Sequence, residues 1–351
     1  MRHENTYRKY IWEGLLFFAV MLLTLGTILR GQNLSQLGSV IGKMKPLYVG
    51  EALFLAVFFV AAEGCMICFL LRGIGVAAHV PQCVGYSFAG FFFSGITPSA
   101  SGGQPMQLYY MKKDGIPLPE GTAVLMAVAT AYKLILAAIG TGILIFWGKP
   151  LREYLGGYFF WYMIGLSLNI LLVTLLLLVM LKPVLIRCLA VKVIRLGKKS
   201  RLLSAEGKWE EKLDGFLEGY QGTVHFFREH KGKIAMLLLM TLFQRGSAFL
   251  LTWVVYRGFG LSQAGMHVVV LLQASVYVAV DMLPVPGAQG ITEAMYGKVF
   301  LPVFSGRYLV PAMCVTRGLG FYLMLFAGAL WVIGIHYRNV VLREKKADGG
   351  A

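Results

Sequence analysis

Apolar positions along the chain fall into long runs separated by short polar or Pro/Gly-rich breaks. Six runs reach the roughly 20 residues that an α-helix needs to cross a bilayer: residues 11–29, 47–71, 121–147, 158–181, 234–256 and 309–335. Two more, 84–97 and 267–283, are too short and broken for a crossing. Each of these ends in a turn and resumes as a half-apolar segment. The turns are Thr97-Pro98-Ser99-Ala100-Ser101-Gly102-Gly103-Gln104-Pro105 and Pro284-Val285-Pro286-Gly287-Ala288-Gln289-Gly290. Nearly unbroken runs such as 170–181 lack the period-two alternation of a membrane β-barrel. The pattern predicts an all-α polytopic membrane protein.

Composition agrees. Hydrophobic residues make up 57% of the 351 positions before 42 glycines are counted, and charged residues only 14%. A soluble domain is about 45–50% apolar with glycine included and about 25% charged. Soluble enzymes, disordered chains and disulfide-rich secreted domains are thereby excluded. Cys65-x-x-Cys68 with His79 and Cys83 loosely imitates a zinc spacing, but the first two lie inside a predicted span, where cysteine packs as a small hydrophobe. The six histidines show no ligand spacing, so no metal or cofactor is expected.

The net charge of +16 orients the chain. Residues 182–201 carry seven Lys/Arg and no acid, which predicts a cytoplasmic loop facing anionic inner-leaflet lipid rather than a nucleic-acid site. The head (Arg2, Arg8, Lys9) and the tail (Arg338, Arg343, Lys345, Lys346) predict cytoplasmic termini. No small-x-small cleavage site follows the first run, so residues 11–29 read as a retained span.

Parity then places Arg72 and Glu120 on the same side, so the stretch between them crosses zero or two times. A re-entrant hairpin over 84–119, entering from the cytoplasm, satisfies this. The same arithmetic predicts a second hairpin over 264–304, entering from outside; Lys298 and Arg307, left outside, run against the charge rule. The order span, hairpin, span thus occurs twice with opposite orientation. Leu47 to Ser101 and Lys233 to Gly287 both measure 54 residues. Inverted repeats with interrupted helices meeting near the midplane are characteristic of transporters. The predicted organisation is a cytoplasmic head 1–10, a first membrane half 11–181, a basic and amphipathic linker 182–233, a second half 234–336 and a cytoplasmic tail 337–351. In the linker, Trp209, Leu213, Phe216, Leu217, Tyr220, Val224 and Phe227 follow helical spacing, with acids and Lys212 between them.

Irregular backbone at membrane depth is tolerated only where protein or a water-filled cavity satisfies it. The turns therefore predict a polar chamber, and Gly102-Gly103-Gln104 and the 287–290 turn each precede a half-helix whose free N–H groups would suit an anion. Six ionisable residues fall within the membrane segments: Glu63, Lys133, Arg245 (after Gln244), Asp281, Glu293 and Arg317. Charges at such depth cost about 2.5–3.5 kcal/mol each on insertion scales and by default face the interior or a pathway. Two readings stand side by side. The three cations and three acids neutralise one another as structural pairs, or the cations hold a phosphate and the acids serve a cationic head group or proton coupling. Nothing resembles a nucleotide-binding loop, and Gly-x-Ser-x-Gly and His-Glu-x-x-His are absent.

The first turn, its continuation Tyr109-Tyr110-Met111-Lys112-Lys113-Asp114-Gly115, and the second turn running into Ile291-Thr292-Glu293 resemble one family. It is the flippase-like transmembrane region of lysylphosphatidylglycerol synthases, and the resemblance extends over about 12–336. The resemblance implies a bacterial inner-membrane protein handling phospholipids. In full-length members the membrane region looks like a flippase, while a separate C-terminal domain makes the aminoacylated lipid. Only 15 residues follow His336, so no lysyltransferase domain is expected. The expected function is lipid flipping, with a head group held by Ser99, Ser101, Gly102, Gly103, Gln104, Gln107, Lys133, Gln244, Arg245, Pro286, Gly287, Gln289, Glu293 and Arg317. Glu63 and Asp281 would serve as coupling or ion-pair groups. The alternatives are a phosphatidylglycerol lysyltransferase and an accessory subunit of a lipid-modifying enzyme. A homo-oligomer is compatible with the sequence.

Overall fold

In the computed structural model, residues 34–182, 209–283 and 285–335 are described, with Arg187, Val191 and Lys192 between them. The predicted first span, most of the basic block 182–201, Pro284 and both termini lie outside the described residues. The described chain is helical: α1 (Leu34–Gly42), α2 (Pro46–Gly73), α3 (Val80–Ile96), α4 (Gly103–Lys113), α5 (Leu118–Leu155), α6 (Phe159–Leu181), α7 (Trp209–Glu229), α8 (Lys231–Gly258), α9 (Met266–Val280) and α10 (Ile291–Val299). The last, α11, occupies Leu301–Ile335. Among the described residues, four continuous helical runs are long and apolar enough to cross a membrane: Pro46–Gly73, Leu118–Met180, Lys231–Gly258 and Leu301–Ile335. The second of these doubles back at Gly156 (φ 50°), since Tyr162 Oη on α6 donates to Gly140 O on α5 at 2.6 Å. The chain is a multi-pass helical membrane protein.

The helices bend where the sequence supplies a reason. Trp147 leaves helical geometry three residues before Pro150 in α5. In α11, Ser305 takes a positive φ of 57° and Pro311 follows inside the helix. This helix therefore begins earlier than the apolar run at 309 indicated, with a bent amphipathic lead-in. Immediately after Arg317, α11 widens into a π-helical turn over Gly318–Leu323.

The order long helix, short helix, 3-10 turn, short helix, long helix occurs twice, in α2–α5 and in α8–α11. The two turns match at Pro98–Ala100 and Pro286–Ala288, and each ends on an alanine with positive φ, Ala100 at 54° and Ala288 at 49°. The alignment therefore runs through Pro98 and Pro286, and not through Ser101 and Gly287 as the equal 54-residue spacings suggested. One residue separates Ile96 from Pro98, whereas five separate Val280 from Pro286, and this longer connection shifts the register.

Helices α2 and α8 pack antiparallel along the centre: Lys45 N–H donates to Gly258 O at one end (3.4 Å), and Lys233 lies against Gly73 at the other. Close approach rests on small residues, as it does when lipid removes the hydrophobic drive between helices. A Cβ on Gly64 of α2 would sit 2.4 Å from Val84 Cα of α3.

Two apolar cores result. The larger gathers the first part of α2 (Ala52, Ala56, Val60), the later part of α5 (Leu136, Ile143), α6, the later part of α8 (Phe249, Val255), α9 and α10. The smaller gathers the end of α2 (Ile67, Leu71), α3, α4, the start of α5 (Val124, Val128), α7 and Leu237 of α8. Each helix–turn–helix unit thus lies in one core: α3–α4 in the smaller, α9–α10 in the larger. The amphipathic α7 lays Tyr220, Val224 and Phe227 onto the smaller core and buries Leu217, and Gly219 meets Pro119 at the start of α5. Burial there pushes the Tyr220 hydroxyl pKa up. The linker helix therefore belongs to the bundle and joins the two halves.

Candidate functional site

Helices α2, α5 and α8 each pass from one core to the other, and each carries its polar residues at the crossing. Glu63 falls between Val60 and Met66, Lys133 between Ala131 and Leu136, and Gln244–Arg245 between Leu237 and Ala248. The turns of the two helix–turn–helix units meet in this layer, Pro98–Ala100 lying against Pro286–Ala288. A polar sheet between two apolar halves is what these helices produce, because each has a polar break in an otherwise apolar sequence and the three breaks align.

Side-chain contacts tie the layer together across the halves. Gln107 Nε2 on α4 donates to Glu63 Oε1 on α2 at 2.6 Å. Tyr132 Oη and Lys133 Nζ, adjacent on α5, both engage the Asp281 carboxylate just after α9. Gln244 Nε2 donates to Phe59 O at 2.8 Å, and an Arg245 terminal nitrogen donates to Gln244 Oε1 at 3.1 Å. The Arg245 guanidinium lies between two rings, 3.9 Å from the centroid of Tyr132 and 4.5 Å from that of Phe59. Among the described residues it has no carboxylate at salt-bridge distance, and its Nε has no hydrogen-bond partner. Two aromatic faces and one amide thus hold a buried cation, each ring contributing about 0.5–2 kcal/mol.

A second cluster lies on α10 and α11. Arg317 Nε donates to Glu293 Oε1 at 2.7 Å, and an Arg317 terminal nitrogen donates to Gly287 O at 3.2 Å. The other Glu293 oxygen accepts the Gly290 N–H at 2.7 Å. The sequence suggested that this N-terminus offers its donors to a phosphate; in the folded chain the Glu293 carboxylate takes one of them. At the first turn, Thr97 Oγ1 accepts the Gly102 N–H at 2.9 Å while donating to Phe93 O at 2.6 Å. Side chains three to five residues away reach these donors at less entropic cost than a separate ligand would. An aromatic series links the clusters: Arg245 over Phe59, Phe59 edge-on to Phe91, Phe91 near Phe321, and Phe321 under Arg317 at 4.5 Å.

The fold therefore brings together Glu63, Gln107, Lys133, Gln244, Arg245 and Asp281, and next to them Gly287, Glu293 and Arg317. Gln107, Gln244, Arg245, Gln289 and Glu293 are all less than 9% exposed, so the layer is closed in this conformation. Both amide atoms of Gln289 are buried without a hydrogen-bond partner. Ser101 and Gln104 are exposed and outside the network. Ser99 lies in the first 3-10 turn, Pro286 is buried in the second, and Gly102 and Gly103 line the first, where a Cβ on Gly103 would meet Ser94 Oγ at 2.0 Å. Sequence reading did not select Phe59 or Phe321. Their signal was helical spacing, since Phe59 precedes Glu63 by one turn and Phe321 follows Arg317 by one turn. Among the described residues, no group of three or more His, Cys, Asp or Glu is arranged to hold a metal ion.

The family described as "Lysylphosphatidylglycerol synthase TM region" matches residues 11–328. Among curated proteins, none matches the chain.

Proposed function

The chain belongs to the lysylphosphatidylglycerol synthase TM-region family, and we propose that it is a flippase-like transporter that carries a phospholipid head group through the polar layer between its two cores. The observation that carries this reading is the meeting of the two turns, one from each core, in the layer that also holds six ionisable groups, Arg245 and Glu293 buried and the other four half-buried. Two half-crossing hairpins approaching from opposite sides, with polar groups at their tips, form the binding centre of an inverted-repeat transporter. In this reading the chain has six spans, 11–29 included, and two re-entrant hairpins. Both termini and the 182–201 block face the cytoplasm of a bacterial inner membrane.

The chemistry follows from partner exchange. The described layer balances three cations (Lys133, Arg245, Arg317) against three acids (Glu63, Asp281, Glu293), so it is neutral when empty. A phosphodiester entering the layer competes with Asp281 for Lys133 and with Glu293 for Arg317. Arg245, which among the described residues has no carboxylate at salt-bridge distance, is the cation most available to it. The released carboxylates then suit an amine such as that of an aminoacylated head group. Because the layer is closed, lateral opening along the aromatic series Phe59–Phe91–Phe321 precedes binding, and acyl chains stay in the bilayer.

Reconstitution in vesicles of phosphatidylglycerol and phosphatidylcholine tests this. Fluorescent or lysyl-phosphatidylglycerol is expected to cross faster in proteoliposomes than in empty vesicles. Unchanged rates overturn the reading. Lysyl-lipid synthesis by the purified chain supplied with lysyl-tRNA would replace flipping by the synthase reading.

A further inference from the structure

A second site lies away from the polar layer, where the end of α2 meets the start of α8. A cavity of about 310 Å³ opens there between Cys65, Cys68, Phe69, Arg72, Gly73, Val80 and Lys233. Its rim is cationic and its floor apolar. Among the described lining residues none is acidic.

Both cations are held in place by contacts that, among the described residues, leave some of their donors without a partner. Arg72 Nε donates to Ala78 O at 2.8 Å, which anchors the guanidinium through its inner nitrogen; among the described residues its two terminal nitrogens have no hydrogen-bond partner. Lys233 Nζ rests 5.5 Å from the Phe69 centroid and 5.9 Å from that of Phe226 on α7, and no carboxylate pairs with it among the described residues. Gly73 makes room for the Lys233 stem: a Cβ there would lie 3.3 Å from both Cδ and Nζ of Lys233. Beneath the two charges, Cys65, Phe69 and Val80 give a surface continuous with the apolar flank of α2, whose exposed large side chains include Leu53, Phe54 and Phe58. Two cations over an apolar floor at the end of a membrane helix complement one kind of molecule, an anion attached to hydrocarbon. The volume is near the lower end of the roughly 300–1,000 Å³ of ligand pockets and suits a head group rather than a whole lipid.

We infer that Arg72 and Lys233 bind the phosphodiester of an anionic glycerophospholipid whose acyl chains run along α2. The site is separate from the transported-lipid layer and independent of the flippase reading. A lipid seated there bridges the end of α2, in the first half, to the start of α8, in the second, next to Phe226 of α7, on which Lys233 rests.

Cys65 provides the readout, because it is partly exposed and lines the cavity. Alkylation of Cys65 in the full-length protein in detergent, followed by peptide mass spectrometry, is measured with dihexanoylphosphatidylglycerol, dihexanoylphosphatidylcholine or inorganic phosphate. The expected result is slowing of about threefold by the glycerol lipid at twice its Kd, and little slowing by the choline lipid or by phosphate. Lys233→Gln combined with Arg72→Gln is expected to abolish the protection, and Lys233→Arg to retain it, which separates loss of charge from loss of fold. Equal protection by the choline lipid, protection by phosphate alone, or protection surviving in the double variant would each overturn the assignment.

Discussion

Lys133 of α5 and Asp281 at the end of α9 form an ion pair between the two halves, across 148 residues of sequence, in the layer where the two turns meet. Tyr132 donates to the same carboxylate, so two neighbouring residues of the first half grip one residue of the second. The pair connects the hairpin that belongs to the larger core with a helix that spans both.

Breaking such a pair from one side leaves a buried charge uncompensated, at a cost of about 3–5 kcal/mol, whereas replacing both partners by apolar residues is often neutral. Lys133→Met and Asp281→Leu are each expected to lower the thermal unfolding midpoint in detergent strongly. The double variant is expected to recover most of that loss. A double variant as unstable as the sum of the singles would show that the two side chains act independently.

Glu293 accepts from both the Gly290 N–H and Arg317. Glu293→Gln keeps an amide oxygen for one donor and removes the charge. It is expected to stay folded while lipid translocation falls by about tenfold or more, since a hydrogen bond to a charged group contributes about 1.5–3 kcal/mol. Arg317→Gln is expected to match it. Full transport in either variant would confine the pair to holding the second turn.

Gly64 and Gly142 separate packing from propensity. A Cβ on Gly64 would meet Val84 Cα at 2.4 Å, while nothing lies within 4 Å of one on Gly142. Gly64→Ala is expected to destabilise by about 1–3 kcal/mol through overpacking. Gly142→Ala is expected to be neutral or to stabilise by up to about 1 kcal/mol through helix propensity. Circular dichroism melts of the two variants in one detergent give the comparison, and equal midpoints would exclude the close approach of α2 and α3.

Ala100 and Ala288 hold matching positive φ angles in the two turns. A non-glycine residue in that region costs about 1–2 kcal/mol, and a β-branched one costs more. Ala288→Gly is expected to leave the unfolding midpoint unchanged or raised, and Ala288→Val to lower it, with the same ordering at Ala100. The reverse ordering would mean that the methyl groups pack against something more valuable than the strain they carry.

Much of the helical architecture was legible from hydrophobic run length, because a run of apolar residues in lipid has few ways to satisfy its backbone other than as a helix. The two broken segments were equally visible, since Pro98 follows one residue beyond the end of α3 and Pro286 opens the second 3-10 turn, and proline cannot continue a helix ladder. That the charges at depth could pair was legible, but which cation meets which acid was not. Lys133 finds Asp281, and Arg317 finds Glu293, through helix packing that brings together residues 148 and 24 positions apart. The aromatic cradle of Arg245 was hidden for the same reason, because Phe59 and Tyr132 come from two other helices.

Composition and local pattern thus determined that this is a multi-pass helical membrane protein with two Pro/Gly-interrupted segments and a few charges at depth. Those properties depend on transfer free energies and backbone stereochemistry, which act residue by residue. The tertiary structure alone decided that α2, α5 and α8 align their polar breaks into one layer between two cores. It also decided that Glu293 fills the helix N-terminus that the sequence left open to a ligand. Both outcomes depend on the rotation and register of whole helices, which are set by close contacts such as Gly64 against Val84 and have no signature in either segment by itself.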